Sequence, residues 1–265
     1  MGTMTTTNGA PGGTAGGGID GVLFDFSGTL LHIEPALSWL RASLAAFHAA
    51  PGTPPCPLTG DETARLAADL ERAGALPGGA MPVRVPDELA ALWAVRDRDT
   101  RDHRALYTGL ARQVRLPHPE LYDPPGDARS LYDALYERHR TPDAWLPYPD
   151  AAEVLTTLHH RGIRTGLLSN IGWDLRPVLR AHGLHRHLTA CVLSYEHALQ
   201  KPDPRLFTLA CRELGVAPPR VLMVGDDRTA DAGATAVGCA YFPVEPLPVH
   251  RRPGGLRPVL DVVGG

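Results

Sequence analysis

Residues 22–30 read VLFDFSGTL: an apolar run, an aspartate at its end, and a glycine turn just beyond. A run this short and this continuously apolar suits a strand buried on both faces, the pattern of a parallel sheet. The same pattern returns downstream in 163-IRTGLLSN-170, 190-ACVLS-194, 220-RVLMVGD-226 and 239-CAYFPV-244. Helical segments separate these runs: 151-AAEVLTTLHHRG-162, 174-DLRPVLRAHG-183, 204-PRLFTLACRELG-215 and 229-TADAGATAVG-238. The segment at 204 opens with proline and closes with glycine, the usual order for a helix, and Gly162 suits a helix C-cap. Strands alternating with helices of this length imply right-handed crossovers and a doubly wound, parallel α/β sheet. The stretch 254-GGLRPVLDVV-263 is expected to add a short last helix.

Between the first strand and this alternating zone the pattern changes. Helical periodicity dominates in 36-ALSWLRASLAAFHAA-50, 61-DETARLAADLERAGAL-76, 87-DELAALWAVRDRDT-100, 102-DHRALYTGLARQV-114 and 128-ARSLYDALYERH-139, with Pro/Gly-rich breaks between them. A cluster of helices placed after a first strand reads as a lid. The expected division is a flexible Gly/Thr-rich tail over 1–18, a catalytic core from 19–32 and 146–265, and an inserted helical cap over 33–145.

Composition narrows the function. With a formal net charge of −3, nothing in the composition suggests a nucleic-acid or membrane surface. No apolar run approaches the roughly 20 residues of a membrane span. The first residues lack the basic start and apolar stretch of a secretory signal. The four cysteines form no CxxC pair and read as free thiols in a reducing cytoplasm. Arginine supplies nearly all of the 26 basic residues; the lone lysine is Lys201. An ammonium is a compact point charge that arginine's planar fork does not replace in a tight site.

In an open α/β sheet, ligands bind beyond the carboxyl ends of the strands. That edge receives Asp25 from the first strand, Ser169 and Asn170 from the second, Lys201 from the loop after ACVLS, and Asp226 with Asp227 from VLMVGD. Asp25 can serve as nucleophile, base or metal ligand. Asp226 and Asp227 offer hard oxygens suited to Mg²⁺. Lys201 can face Asp25 and a phosphate together, Ser169 offers a hydroxyl, and turn amides near Gly28 and Asn170 can donate to an anion. This set suits phosphoryl transfer through an aspartyl-phosphate.

DFSGTL, LLSN, KPD and GDDRTADAGA, in that order, resemble the four motifs of the haloacid dehalogenase superfamily of hydrolases, over about residues 20–245. The long insert resembles a type-1 helical cap, and the core would be the family's Rossmann-like sheet. The resemblance implies that Asp25 is the nucleophile and a Mg²⁺ ligand, and that the main-chain carbonyl of residue 27 also binds the metal. Thr29 would support the nucleophile loop, Ser169 bind phosphate, Lys201 bridge phosphate and nucleophile, and Asp226 bind metal. Asp231 would support Lys201 or a metal-bound water; Asp227 is an acid to which the resemblance gives no role.

One position departs. Phosphatases of the family usually carry Asp at residue 27, as the acid that protonates the leaving oxygen and then activates water; here it is Ser27. General acid–base help is worth about 10²–10⁴-fold, so a slow or atypical phosphatase is expected, or one with another donor such as His32 or a cap residue. Two alternatives stay open: a binding or regulatory protein that has lost turnover, and a 2-haloacid dehalogenase, a branch that tends to carry an aromatic at this position and to lack the GDD metal site. The phosphonatase branch needs a cap lysine, and this insert has none. The expected ligand is a small phosphorylated metabolite; oligomeric state is open. His182, His185, His187 and Cys191 fit no common zinc spacing. Trp39, Trp93, Tyr107, Tyr132 and Tyr136 read as packing, with one or two facing substrate, and Arg41, Arg101 and Arg104 as solvated cations.

Overall fold

The computed structural model describes residues 18–126 and 129–264; apart from Gly18, the expected tail lies outside them. Strand β1 (Gly21–Phe24) leads through a tight turn into β2 (Leu31–Ile33). The helical insert follows: α1 (Ala36–His48), α2 (Gly60–Arg72), α3 (Ala90–Val95), α4 (Thr100–Arg112), α5 (Pro119–Tyr122) and α6 (Leu131–His139). The chain returns through β3 (Trp145–Pro147) to α7 (Ala151–His160), β4 (Arg164–Ser169), α8 (Arg176–Ala181) and β5 (Ala190–Leu193). It finishes with α9 (Ser194–His197), α10 (Pro204–Leu214), β6 (Val221–Gly225), β7 (Ala240–Pro243) and α11 (Pro258–Gly264).

Five strands form one sheet in the order β5-β4-β1-β6-β7, every neighbouring pair parallel. Alternate residues of a strand point to opposite faces. Accordingly Val22 and Phe24 of β1, with Leu222 and Val224 of β6, join the core shared with the insert and α7. Leu23, Val221 and Met223 join a second core against α10. Both faces are covered, which is why the strands read as unbroken apolar runs.

The small antiparallel ladder of β2 and β3, which pairs His32 with Leu146, closes the two ends of the insert together. Three-residue strands at opposite ends of an insert carry no pattern long enough to see in sequence. The helix expected over 87–100 is a short 3₁₀ turn at Asp87–Leu89 followed by α3. The helix expected over 229–238 is a 3₁₀ segment, Asp231–Val237, whose short side chains allow the tighter winding. Helix starts follow capping chemistry: Thr59 with Glu62 and Ser130 with Asp133 form capping boxes, and Asp99 caps α4. Trp39 of α1 is buried and donates its indole N–H to the Leu135 carbonyl of α6 at 2.9 Å, which ties the insert's first and last helices together. Among the described residues, no helix is long and apolar enough to cross a membrane.

Candidate active site

Asp25 follows β1 directly. Its N–H continues the sheet, donating to Val224 at 2.9 Å, and its carboxylate stands at the sheet's carboxyl edge. The chain then turns back at once, with the N–H groups of Leu30 and Leu31 donating to the Phe26 carbonyl. Gly28 is required in this turn twice over: φ is +72°, and a Cβ there would lie 2.6 Å from Asp226 Oδ2.

Lys201 is buried, and each of its three ammonium protons has an acceptor: Asp25 Oδ1 at 2.7 Å, Asp231 Oδ1 at 2.5 Å and the Leu168 carbonyl at 3.1 Å. Its main chain is gripped by Asn170, whose Oδ1 accepts the Lys201 N–H at 2.6 Å and whose Nδ2 donates to the Lys201 carbonyl at 3.0 Å. The Asn170 side chain is thus engaged in holding the lysine. Ser169 ends β4, is 2% exposed and lines the same cavity. Thr29 is fully buried and donates to Asp226 Oδ1 at 3.4 Å.

The two adjacent acids at the end of β6 separate. Asp226 turns into the site, where one carboxylate oxygen from each of Asp25, Asp226 and Asp231 lies within 4.8 Å of the others. Asp227, paired with Asp226 in the sequence reading, is outside this group. It is exposed, and its Oδ1 accepts the N–H groups of Thr229 and Ala230 at 2.8 Å each. The second acid of the cluster is instead Asp231, fully buried, whose Oδ2 accepts the Asp227 N–H at 3.0 Å. Asp227 builds the loop; Asp231 faces the lysine.

The charges explain what the cluster suits. Burial pushes Asp226 up to about 7, with the Asp25 and Asp231 charges adding and Lys201 opposing. Burial pushes Asp231 up to about 6, opposed by Lys201. Burial pulls Lys201 down, but Asp231 and Asp25 outweigh it, so the ammonium stays charged. Three carboxylates against one ammonium leave an excess of negative charge in a poorly solvated place. A hard divalent cation with carboxylate oxygens relieves that excess, so the donor set fits Mg²⁺.

Ser27 is half-buried, its Oγ 3.4 Å from the Gly78 carbonyl of the insert. Gly78 has φ of +77°, and a Cβ there would meet the Trp145 ring at 2.7 Å and Ser27 Oγ at 2.9 Å. The insert's backbone therefore presses on residue 27, and a carboxylate in its place would face a carbonyl oxygen. The cavity over the site holds about 660 Å³, with Trp93, Arg96, Asp97, His103 and Tyr107 of the insert on its walls. His32 also lines it, with Nδ1 engaged by the Ile33 carbonyl at 2.6 Å.

Of the aromatics singled out in the sequence, Trp93 and Tyr107 face this cavity. Trp39, Tyr132 and Tyr136 are buried in packing. Arg104 pairs with Asp133 and Glu137, and Arg41 is exposed. In the histidine run, His182 bonds the Pro142 carbonyl and His187 bonds Thr156, and neither joins a metal-sized group among the described residues. Sequence reasoning missed Arg252. Its guanidinium is buried over the Tyr148 ring and donates to the carbonyls of Gly28 at 2.6 Å, Glu245 at 3.0 Å and Thr29, clamping the turn after Asp25. Nothing in 250-HRRPGG-255 marks that role. Asp97 was not singled out either, though it lines the cavity; in the sequence it stands inside the helical reading of 87–100, where acids and arginines alternate.

Residues 19–237 match the family model of the haloacid dehalogenase-like hydrolases. The chain is 37% identical over 155 residues to a phosphoserine phosphatase of Thermus thermophilus, an overlap of 57% of this chain and 61% of that one. It is 33% identical over 156 residues to (S)-2-haloacid dehalogenase 1 of a Pseudomonas species, covering 57% and 68% respectively. The match to the phosphatase thus spans less than two thirds of that relative's length. The fold resembles that of L-2-haloacid dehalogenase from Xanthobacter autotrophicus, with a TM-score of 0.56 at 20% identity over 93% of this chain and 87% of that one. With the four loops converging as described and the family match covering most of its length, the chain belongs to the haloacid dehalogenase-like hydrolases.

Proposed function

We propose that this hydrolase is a Mg²⁺-dependent phosphatase that cleaves a small phosphorylated metabolite through an aspartyl-phosphate on Asp25. The observation that carries this reading is the shared ammonium: Lys201 holds Asp25 Oδ1 and Asp231 Oδ1 at once, beside Asp226. With Oδ1 fixed by Lys201, Asp25 keeps Oδ2 for attack on phosphorus. The Ser169 hydroxyl and the Lys201 charge hold the transferring group's oxygens as charge moves among them. Asp231 keeps the ammonium in place, and Arg252 with Gly28 fixes the turn that carries Asp25. Mg²⁺ on Asp25 and Asp226, with the Ser27 carbonyl in the role the family gives it, would neutralise charge between an anionic substrate and the nucleophile. The insert acts as the cap that encloses the substrate, and the working compartment is the cytoplasm.

The name of the Thermus relative supports a phosphate ester as substrate. The name of the Pseudomonas relative supports a second reading, hydrolysis of a 2-haloacid. The three-carboxylate group favours the first, because displacing a halide does not call for a cation beside the nucleophile. A panel of phosphorylated metabolites and 2-haloacids, each with Mg²⁺ or a chelator, tests this. Phosphate release that needs both Mg²⁺ and Asp25 is expected. Halide release in chelator, or a wild type inert on every ester, would replace this reading with dehalogenation or with a binding protein.

A further inference from the structure

We infer that Asp97, delivered by the helical insert, is the group that protonates the leaving oxygen and then activates water, the work that Ser27 cannot do; this rests on the phosphatase reading above.

The placement comes from the joint between insert and core. The Ala94 carbonyl accepts from the Gln200 side chain at 3.0 Å. The Asp97 carbonyl accepts from the Ser194 hydroxyl, whose oxygen accepts the Ile171 N–H at 2.8 Å. Gln200 precedes Lys201, and Ile171 follows Asn170. The turn after α3 is thereby fastened to the same two loops that carry the lysine and the phosphate-facing serine, and Asp97 lines one cavity with Asp25 and Lys201.

Its carboxylate caps no helix, and what ties it to the insert is a loose ion pair with Arg96. Asp97 is 5% exposed. The cap of α4 is Asp99, whose Oδ1 accepts the N–H groups of Arg101 and Asp102. Among the described residues, the cationic or ring nitrogens nearest its oxygens are Arg96 Nε at 3.4 Å and His103 Nε2 at 3.9 Å. Arg96 lies over the Trp93 ring and donates to the Trp93 carbonyl. His103 bonds the Tyr136 hydroxyl through Nδ1, and burial pushes it down to about 3, so it is neutral. Tyr107, on the same wall, is held as the neutral phenol by burial and by the Asp97 charge.

A buried carboxyl with no firm donor keeps its proton more readily, the environment in which a carboxylic acid can serve as a general acid. Burial pushes Asp97 up, Arg96 and Lys201 pull it down, and the Asp25 charge pushes it up again. In the first half-reaction Asp25 Oδ2 bonds to phosphorus, the ester P–O bond breaks, and the Asp97 proton passes to the leaving oxygen, which departs as the alcohol. In the second, the Asp97 carboxylate takes a proton from water as that oxygen bonds to phosphorus. The bond to Asp25 breaks, inorganic phosphate leaves, and Asp97 is again protonated.

Asp97→Asn and Asp97→Ala, assayed on an alkyl phosphate and on p-nitrophenyl phosphate with Mg²⁺, test the assignment. Asp97→Asn should lower kcat on the alkyl ester by about 10²–10³-fold with little change in KM. On the aryl ester, whose leaving group needs no proton, it should keep the initial burst of nitrophenol while turnover falls and phosphorylated Asp25 accumulates. Formate should restore part of the Asp97→Ala turnover. A change in KM alone would make Asp97 a recognition residue and overturn the assignment. So would unchanged kcat on both esters, or an equal loss of burst and turnover without rescue. An active wild type with an indifferent Asp97→Asn removes this assignment alone; a wild type inert on every ester removes the phosphatase reading as well.

Discussion

The sheet edge and the helical insert both face the cavity, but they reach it by different means. At the edge, the lysine and the three clustered acids are held by other parts of the same edge. Asn170 grips the Lys201 backbone, Lys201 holds Asp25 and Asp231, and Thr29 reaches Asp226. The insert's wall, with Asp97 and Arg96, meets the neighbouring loops through the hydrogen bonds of Gln200 to Ala94 and Ser194 to Asp97, and Gly78 of the insert meets Ser27. The groups proposed for nucleophilic chemistry therefore sit in short loops next to strands, whereas the wall that would surround a leaving group depends on how a separate helical unit docks. The edge should resist changes in the insert, and the insert's contribution should be sensitive to its joint.

The largest expected effect tests the edge. Lys201→Arg keeps the charge but cannot place three short donors on Asp25, Asp231 and the Leu168 carbonyl. Steady-state phosphate release should fall by about 10³-fold, the scale of losing one preorganised electrostatic group. A loss under tenfold would show that the ammonium's geometry is not what matters.

Next in size is the cation. The unfolded chain ionises its aspartates near 3.8, whereas the folded, metal-free protein holds protons on Asp231 up to about 6 and on Asp226 up to about 7. The folded state binds more protons in that window, so metal-free stability should fall as pH rises from about 4 to about 7. Mg²⁺ at a hundred times its Kd should add about 2.7 kcal/mol, and the gain in melting temperature should be larger at pH 8 than at pH 5. An equal gain at both would detach the metal from these carboxylates.

Arg252→Met should come third. It leaves the Gly28, Thr29 and Glu245 carbonyls without their donor, at a cost of about 2 kcal/mol. That corresponds to a fall of about 4–8 °C in Tm for a chain of this size. A Tm unchanged within a degree would show that the turn holds itself.

The smallest effect tests the joint. Ser194→Ala frees the Asp97 carbonyl and the Ile171 N–H. Alkyl phosphate turnover should drop by about tenfold, the rate equivalent of about 1.4 kcal/mol, and the nitrophenol burst far less. Equal losses on both esters would mean that edge and insert are not separable.

The same contrast sets what was legible in the sequence. The parallel sheet was, because β1 and β6 are buried on both sides and read as unbroken apolar runs. Lys201 was, because a chain that writes arginine elsewhere kept one ammonium in a strand-end loop. The separation of Asp227 from Asp231 came from the motif resemblance and not from local chemistry, because the adjacent Asp226 and Asp227 look alike until the loop's hydrogen bonds turn one outward. Asp97 was illegible for another reason: it is flanked by arginines in the sequence, and its burial beside Arg96 and His103 shows only in the fold. Arg252 sits far along the chain from the turn it clamps, with no local pattern to betray it. The ladder between β2 and β3 was too short to show a period.

The most direct measurement is a rapid acid quench of the enzyme turning over a phosphate ester, followed by peptide mass analysis. The account predicts a phosphoryl group on Asp25, formed only when Mg²⁺ is present and absent from Asp25→Asn. Phosphate released while Asp25 remains unmodified, or a phosphoryl group carried by another residue, would contradict it.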